Sequence, residues 1–260
     1  MKTALIVTTY NWPAALRLVL ESIARQTRLP DCVIVADDGS TADTARLIAE
    51  TQEAFPCPLI HVWQEDKGFR LAKIRNRAIA EAARRGMDYV IQIDGDIILH
   101  RRFVADHLAD ATPGTMLCGA RAHISEAHTA ALTKAGHAPA LTCLSPGVEH
   151  RLNAVRSPLL SRFARGSRRK HGCNLSYWLR DVLAINGYDE VFEGWGYEDS
   201  DFARRMEDAG VRRQRIKFKA VCFHLHHKSN VCRDNYDVMQ ACLKRGLVRA
   251  ERGVDQYLLQ

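Results

Sequence analysis

The stretch Tyr89-Val90-Ile91-Gln92-Ile93-Asp94-Gly95-Asp96 is an apolar run that ends in two carboxylates, one residue apart. Its richness in Val, Ile and Tyr predicts a buried strand. Because ligands of an open α/β sheet bind outside the carboxyl ends of its strands, the two carboxylates are expected in a binding cleft. Paired carboxylates suit Mg²⁺ or Mn²⁺. Asp-Gly between apolar segments is also a strong hairpin signal, so a plain turn remains an alternative.

Strand and helix patterns alternate from the N-terminus up to this stretch. Strands are predicted at residues 3–9, 32–36, 59–63 and 89–93. Helices are predicted at residues 13–26, 41–53 and 70–85. Short connections between such elements favour right-handed βαβ units and a parallel sheet. The predicted fold class is therefore α/β, with a Rossmann-like, mostly parallel central sheet flanked by helices and a smaller C-terminal portion.

Polar residues follow the first two predicted strands as well. Thr8, Tyr10 and Asn11 end the first strand, and Asp37 and Asp38 end the second. A hairpin does not explain the second pair, because a helical pattern follows it, whereas one cleft lined by several strand ends does. Either aspartate can then accept a hydrogen bond from a ribose or a base. Capping of the following helix is the alternative, and both roles can coexist.

The predicted helix at 70–85 carries basic residues near its N-terminal end. Arg70, Lys73 and Arg77 share one face of this helix. Positive charge there opposes the helix dipole, yet it suits a diphosphate. A solvated helix face is the alternative interpretation.

The composition is that of an ordinary globular protein. The 260 residues are 47% hydrophobic and 26% charged, which excludes a disordered or collagen-like chain. No stretch approaches the roughly 20 apolar residues of a membrane span, and the N-terminus lacks a signal-peptide pattern. Since the eight cysteines form no CxxC pair, we expect reduced thiols in a cytoplasmic protein.

The net charge of +7 is concentrated in one segment. Residues 151–171 contain seven Arg or Lys residues and no acidic residue, together with Pro158 and Gly166. This composition predicts a mobile basic loop. It is either simply solvated or binds an acidic acceptor or an anionic membrane surface, which gains about 1 kcal/mol per basic residue. Nucleic acid is not an expected partner, because no recognition motif accompanies the charge.

Two further motifs carry chemistry in the second half of the chain. Residues 192–199, Phe-Glu-Gly-Trp-Gly-Tyr-Glu-Asp, place a Trp between two glycines just before a predicted helix at 199–209. Acidic residues in a first helical turn complement the dipole, but this does not explain the Trp. A flat ring beside a carboxylate commonly holds a sugar, with apolar contact on one side and hydrogen bonds on the other.

Histidines follow near residue 224. Neutral imidazoles of His224, His226 or His227 can complete a Mn²⁺ site that carboxylates begin. A zinc site that includes Cys222 is the alternative. The earlier histidines at 123, 128 and 137 stand in a polar, Ala-rich stretch and are expected at the surface.

These motifs, in this order, resemble known enzymes. Thr8–Asn11, Val35–Ser40, Gly68–Asn76 and Asp94–Asp96 resemble the motifs of a family 2 glycosyltransferase with the GT-A fold, over about residues 1–100. Residues 195–199 resemble the Trp-Gly-x-Glu-Asp motif of the galactosyltransferase-type C-terminal module, over about 171–227. That module occurs in β-1,4-galactosyltransferases and bacterial chondroitin-synthase-like enzymes. Tyr197 stands where that family usually has Gly.

The resemblance implies one catalytic domain over residues 1–260. It comprises a nucleotide-sugar half (1–100), an acceptor half (101–230) and a C-terminal helix (231–260). The implied reaction is inverting, metal-dependent transfer of a hexose or N-acetylhexosamine from a UDP-sugar to a glycan or glycolipid. Assembly of cell-surface polysaccharide or lipopolysaccharide is the expected context, with peripheral attachment to the inner face of the plasma membrane.

The resemblance also implies residue roles. Asp199 is the expected catalytic base, assisted by Glu198. The donor would contact Thr8, Tyr10, Asn11, Asp37, Asp38, Arg70, Lys73, Asp94 and Gly95. The acceptor or sugar would contact Asn174, Trp195, Gly196 and Glu198. Asp96 and His224, with His226 and His227 as alternatives, would bind Mn²⁺ or Mg²⁺.

Two other functions stay open from sequence. A sugar-phosphate nucleotidyltransferase also combines an α/β nucleotide fold with metal-binding carboxylates, but it normally has a Gly-rich, basic signature near the first strand. A non-catalytic glycan- or membrane-binding protein would keep the basic segment. It would have no need of Asp94, Asp96 and Asp199 together.

Overall fold

Eleven strands and ten α-helices are found in the part of the chain that the computed structural model describes, residues 1–164, 173–228 and 235–259. The strands are β1 Thr3–Thr9, β2 Cys32–Asp37, β3 Leu59–Trp63, β4 Tyr89–Asp94, β5 Ile97–Leu99, β6 Thr115–Gly119, β7 Ala122–Ile124, β8 Val148–Glu149, β9 Asn174–Trp178, β10 Arg212–Ile216 and β11 Cys222–His224. The helices are α1 Pro13–Ala24, α2 Ala42–Gln52, α3 Leu71–Arg84, α4 Phe103–Asp110, α5 Glu126–Ala135, α6 Pro158–Phe163, α7 Leu179–Ala184, α8 Glu198–Asp208, α9 Tyr236–Arg245 and α10 Asp255–Leu258.

A seven-stranded sheet forms the centre of the fold, in the order β10-β6-β9-β4-β1-β2-β3. β1 pairs in parallel with both β2 and β4, and β2 pairs in parallel with β3. β9 is antiparallel to its neighbours β4 and β6, whereas β10 is parallel to β6. Every residue of β1 is buried, as expected for a strand covered on both faces. The predicted α/β class with a mostly parallel central sheet is therefore confirmed.

The turn after β4 leads into a second sheet. β5 pairs antiparallel with β11, and the four strands lie in the order β5-β11-β7-β8. The alternative of a hairpin at Asp94-Gly95-Asp96 is therefore wrong, because β4 and β5 belong to different sheets. Gly95 is required here, since its N–H donates to the Thr8 carbonyl and an added Cβ would lie 2.8 Å from that oxygen. The turn consequently brings Asp96 beside the end of β11.

The basic segment differs from the predicted mobile loop where it is described. Residues Arg151–Asn153 form a 3₁₀ helix, and α6 follows with Ser157 accepting a hydrogen bond from the Leu160 N–H. Arg156 is held by two hydrogen bonds, of 2.8 and 2.6 Å, to the buried carboxylate of Asp106. The mobile-loop prediction is therefore wrong for residues 151–163. Arg165, Arg168, Arg169 and Lys170 lie outside the described residues.

The C-terminal region forms two helices, α9 and α10, where one was predicted. α9 ends at Gly246, which adopts the left-handed conformation that terminates helices. None of the described helices has the length and apolar character needed to cross a bilayer.

Candidate active site

A cleft of about 820 Å³ lies at the carboxyl ends of the central strands. It joins the two groups of motifs that are separated by about a hundred residues in the sequence. Its lining includes Thr8, Tyr10, Asp38, Phe69, Arg75, Asp94, Gly95, Asp96, Arg121, His123, Cys173, Trp195, Gly196, Tyr197, Glu198, Asp199, His224, His226 and His227. The expectation of one cleft at several strand ends thus agrees with the geometry.

The donor side of the cleft is built on the β1–β4 pairing. Thr8 lies opposite Asp94 in the parallel register, and its Oγ1 donates a 3.0 Å hydrogen bond to Asp94 Oδ1. Asp38 accepts hydrogen bonds from the Gln64 side chain and from the Arg70 N–H. Burial raises the pKa of Asp38 above its usual range, although these hydrogen bonds oppose the shift. Tyr10 is half exposed at the rim.

Asp37 and Asn11 do not line the cleft, contrary to the prediction. Asp37 is fully buried; its carboxylate accepts from the Ser40 N–H and lies 3.0 Å from His61 Nε2. Asn11 Oδ1 accepts from the Thr41 N–H. Both side chains therefore hold the β2–α2 connection in place, and the capping interpretation is the correct one for this pair.

Arg70 and Lys73 also lie elsewhere. They line a separate cavity of about 150 Å³ together with Glu190, Glu193 and Arg252. The reason is the rotation of α3: residues two apart on a helix are about 200° apart around its axis. Consequently Lys73 points to one side of the helix and Arg75 to the cleft.

Arg75 is the central residue that sequence analysis missed. Its guanidinium is 1% exposed and donates to Asp199 Oδ1 at 2.7 Å, to Asp94 Oδ1 at 3.3 Å and to Glu198 Oε1 at 3.5 Å. Burial alone would lower the pKa of Arg75, but the three carboxylates and Tyr188 raise it well above its usual range. Arg75 therefore joins the donor strand β4 to the first turn of α8.

A signal for Arg75 was present in the sequence. Its neighbours three and four positions away on the helix are all apolar: Leu71, Ala72, Ala78 and Ile79. A basic residue on the apolar face of a helix must find buried partners. Such a residue is a better candidate for the site than the exposed basic face beside it.

Glu198 and Asp199 open α8 and face the cleft. Asp199 Oδ1 accepts hydrogen bonds from Arg75 and, at 3.4 Å, from the Tyr188 hydroxyl. Glu198 is 8% exposed, and its Oε2 has no hydrogen-bond partner among the described residues. Burial, reinforced by the neighbouring Asp199, raises the pKa of Glu198 to about 7. One carboxyl group of this pair is thus well anchored and the other is poised for an external partner.

The turn before α8 holds its aromatic residues in an unusual conformation. Tyr197 has a φ of 70°, a left-handed value that costs a non-glycine residue about 1–2 kcal/mol. Its ring makes an edge contact with Tyr236, at 6.0 Å between centroids, and Asn235 Nδ2 donates to the Gly196 carbonyl. Trp195 is 45% exposed at the mouth of the cleft. The positive φ gives a physical reason for the Gly that related motifs carry at this position.

The structure brings Asp96, His224 and His227 together. Asp96 Oδ2 lies 3.4 Å from His224 Nε2 and 3.3 Å from His227 Nε2. One ligand atom from each residue falls within 4.8 Å of the others. His226 is not part of this triad among the described residues, although it lines the cleft. β11 positions the triad, because its pairing with β5 places His224 opposite Ile97.

The donor set of this triad fits a divalent cation. Asp96 Oδ1 and His224 Nδ1 are buried and have no hydrogen-bond partner among the described residues. Burial lowers the pKa of His224 to about 4, so its imidazole is neutral and able to act as a ligand. A hydrogen bond to Asp96 raises the pKa of His227. One carboxylate and two imidazoles suit Mn²⁺ or a similar transition metal.

Two further predictions about polar residues are wrong. Asn174 is fully buried: its Nδ2 donates to the carbonyls of Ala120 and Ala220, and its Oδ1 pairs with His107 Nε2. It therefore cross-links strands behind the site instead of facing an acceptor. His123, expected at the surface, lines the cleft, with its ring centroid 5.3 Å from that of His224. The β7–β11 pairing, which places these two histidines opposite each other, explains its position.

Glu198 gives the site a pH-dependent stability. Because its pKa rises from 4.5 to about 7 on folding, the protonated form contributes stability that is complete below pH 4.5 and lost as the pH rises through 7. Glu198→Gln stays neutral at every pH. We expect this variant to match the wild type at pH 5 and to gain roughly 1–3 kcal/mol of unfolding free energy over it at pH 8. Chemical denaturation at both pH values is the measurement, and an equal difference at the two would contradict the assignment.

Two family models match the chain. The model of glycosyl transferase family 2 matches residues 4–136, and the model described as the N-terminal domain of galactosyltransferase matches residues 160–228. The two matches cover the donor strands and the Trp195–Asp199 turn, respectively.

Curated relatives share about a quarter of their residues with the chain. Validoxylamine A glucosyltransferase of Streptomyces hygroscopicus subsp. limoneus is 27% identical, over 80% of this chain and 48% of that protein. Hyaluronan synthase of Pasteurella multocida is 26% identical, over 78% of this chain and 22% of that protein. Chondroitin synthase of Escherichia coli is 25% identical, over 80% and 32%. The chain thus spans about half the length, or less, of these relatives.

Solved structures with the same fold include two nucleotide-sugar complexes. S. aureus TarS 1–349 in complex with UDP-GlcNAc has a TM-score of 0.66 at 18% identity, over 99% of this chain and 70% of that chain. A mannosyltransferase from Pyrobaculum calidifontis in complex with GDP-Man and Mn²⁺ has a TM-score of 0.57 at 19% identity, over 92% and 59%. At this level of identity the likeness concerns the fold.

The mostly parallel sheet, with carboxylates at its strand ends, defines a glycosyltransferase of the GT-A class. The chain belongs to glycosyl transferase family 2, since that family's model covers just over half of it. The assignment made from the sequence motifs is thereby confirmed.

Proposed function

We propose that this enzyme transfers a hexose or N-acetylhexosamine from a UDP-sugar to a glycan acceptor, with inversion at the anomeric carbon. The observation that carries the proposal is the shared cleft. In it Arg75 links the donor-side Asp94 to the carboxyl pair Glu198 and Asp199, beside the triad of Asp96, His224 and His227. UDP is favoured over other nucleotides because a UDP-GlcNAc complex is among the structures with the same fold.

The donor occupies the side of the cleft formed by β1, β2 and β4. Tyr10 and Asp38 contact the nucleoside, and Thr8 holds Asp94 in place for the ribose or the phosphates. Asp96, His224 and His227 hold a Mn²⁺ or Mg²⁺ ion. When bound, such an ion neutralises charge on the departing diphosphate.

Asp199 acts as the general base. The acceptor oxygen attacks the anomeric carbon while its proton passes to Asp199, whose Oδ1 is fixed by Arg75 so that Oδ2 can take the proton. Because the attack comes from the face opposite the diphosphate, the anomeric centre is inverted. Glu198, with Oε2 unpartnered, binds a sugar hydroxyl. Trp195 presents its exposed ring to the apolar face of the sugar.

The acceptor is a glycan or glycolipid of cell-surface polysaccharide or lipopolysaccharide assembly. Relatives named hyaluronan synthase and chondroitin synthase support this context. Cytoplasmic location and attachment to an anionic membrane remain proposals. They rest on the basic residues of segment 151–171, of which Arg156 is already paired with Asp106.

The test is a donor screen. The purified protein is incubated with Mn²⁺ and a panel of UDP- and GDP-sugars, with and without short glycans, and release of the nucleotide is measured. We expect release from a UDP-sugar that increases when an acceptor is added. Release from GDP-sugars alone would overturn the donor assignment. A panel without any turnover, together with sugar-independent glycan binding, would favour a binding protein.

The three triad residues should be distinguishable from their neighbour His226 by metal affinity. Removing one of three protein ligands should weaken Mn²⁺ binding by at least about 10-fold, so His224→Ala and His227→Ala are expected to lose affinity. His226→Ala, the matched control, should bind Mn²⁺ as the wild type does. Titration followed by the Mn²⁺ EPR signal measures this directly. Loss of affinity in His226→Ala, with His227→Ala unaffected, would contradict the triad.

A further inference from the structure

The structure leaves the diphosphate of the proposed donor without the basic partners that the sequence suggested. Arg70 and Lys73 line a different cavity. Among the described residues that line the main cleft there are two arginines, Arg75 and Arg121, and no lysine. Arg75 is already in contact with three carboxylates. Arg121 is therefore the remaining fixed positive charge in the cleft.

Arg121 is held beside the triad by the chain on both sides. It lies between β6 and β7, and β7 places its neighbour His123 opposite His224 of β11. The Arg121 carbonyl accepts a 2.9 Å hydrogen bond from Asn153 Nδ2, which fixes the backbone of this connection. The guanidinium consequently enters the cleft from a firm support.

The side chain of Arg121 is poorly satisfied within the described part of the chain. Its Nη1 contacts the Cys173 thiol at 3.3 Å, and a thiol is a weak acceptor. Its Nε is buried and has no hydrogen-bond partner among the described residues. No carboxylate of those residues lies within ion-pair distance of it. A partly buried cation without an anion is costly, so an anion that arrives with the substrate accounts for its retention.

From these contacts we propose that Arg121 binds the diphosphate of the donor and stabilises the departing nucleoside diphosphate. This inference rests on the proposed function. In the transfer, the bond between the anomeric carbon and the β-phosphate oxygen breaks and its electron pair stays on that oxygen. The acceptor oxygen forms the new bond, and its proton goes to Asp199. The planar guanidinium suits phosphate oxygens, to which it can donate two parallel hydrogen bonds.

The test compares UDP with uridine, which lacks the diphosphate. Loss of a charge-assisted hydrogen bond should lower the UDP affinity of Arg121→Gln about 10- to 100-fold in Mn²⁺. Uridine affinity, followed by ligand-observed NMR, should stay unchanged and shows that the variant is folded. Arg121→Lys keeps the charge without the fork and should lose less. Lys73→Gln, in the separate cavity, is the matched control and should bind UDP as the wild type does.

The outcomes separate this inference from the proposed function. A wild type that binds UDP, with a folded Arg121→Gln or Arg121→Lys that binds it equally well, overturns the role of Arg121 alone. An equal loss of UDP and uridine affinity in both variants also overturns it, because the effect is then not on the diphosphate. A wild type that binds no UDP overturns the proposed function and this inference together.

Discussion

Asp199→Asn is expected to lower kcat by about 10²- to 10⁴-fold, the range of a lost general base. Asn can still accept the Arg75 hydrogen bond through its carbonyl oxygen, so the geometry at the start of α8 should persist. UDP affinity in Mn²⁺ should therefore remain close to that of the wild type, because the donor side of the cleft is unchanged. The measurement is initial rate against donor and acceptor concentration, with UDP binding measured separately.

The control for this variant lies on the same helix. Asp208→Asn makes the same chemical change at the other end of α8, where the carboxylate is exposed and paired with Arg204. It should retain wild-type kcat. If Asp199→Asn loses UDP affinity as strongly as it loses turnover, Asp199 serves donor binding, and the base must be sought elsewhere.

Arg75→Met should destabilise the fold by about 3–5 kcal/mol, the cost of removing one partner of a buried ion pair. The methionine fills much of the same volume, but it leaves Asp94, Glu198 and Asp199 facing one another without a cation. Equilibrium denaturation at pH 8, where these carboxyl groups are most strongly charged, measures the effect. The loss should shrink at pH 5, because Glu198 is then protonated.

Arg77→Met provides the comparison for Arg75. It makes the same substitution on α3, at a partly exposed position with no ion pair to a described residue. Its effect should stay within about 0.5 kcal/mol, as for surface substitutions in general. Equal effects of the two substitutions, or an Arg75→Met variant as stable as the wild type, would contradict the central role of Arg75.

The strands of the donor half could be predicted because their signal is local. The bounds of β1 and β3 agree with the prediction, and β2 and β4 extend one residue further, to Asp37 and Asp94. Each is a short apolar run closed by polar residues, and the strand ends of a parallel sheet must meet along one edge. The positions of Asp94, Asp96 and Asp199 in one cleft follow from that logic and from the order of the motifs.

The errors concern side chains whose surroundings come from distant parts of the chain. Which face of α3 meets the cleft depends on its rotation against the sheet, and this decides between Lys73 and Arg75. Asn174 is buried by carbonyls from β6 and β11, which no local pattern reveals. The pairing of β11 with β5 and β7 likewise selects His224 and His227 and recruits His123.

The most direct test of the account is a calorimetric titration of UDP into the protein, with and without Mn²⁺, for the wild type and Asp96→Ala. The account predicts that wild-type binding is strong in Mn²⁺ and much weaker without it. It also predicts that Asp96→Ala loses the metal-dependent part, because the triad is broken. Binding of UDP that is equal with and without metal, and unchanged in Asp96→Ala, would contradict the account.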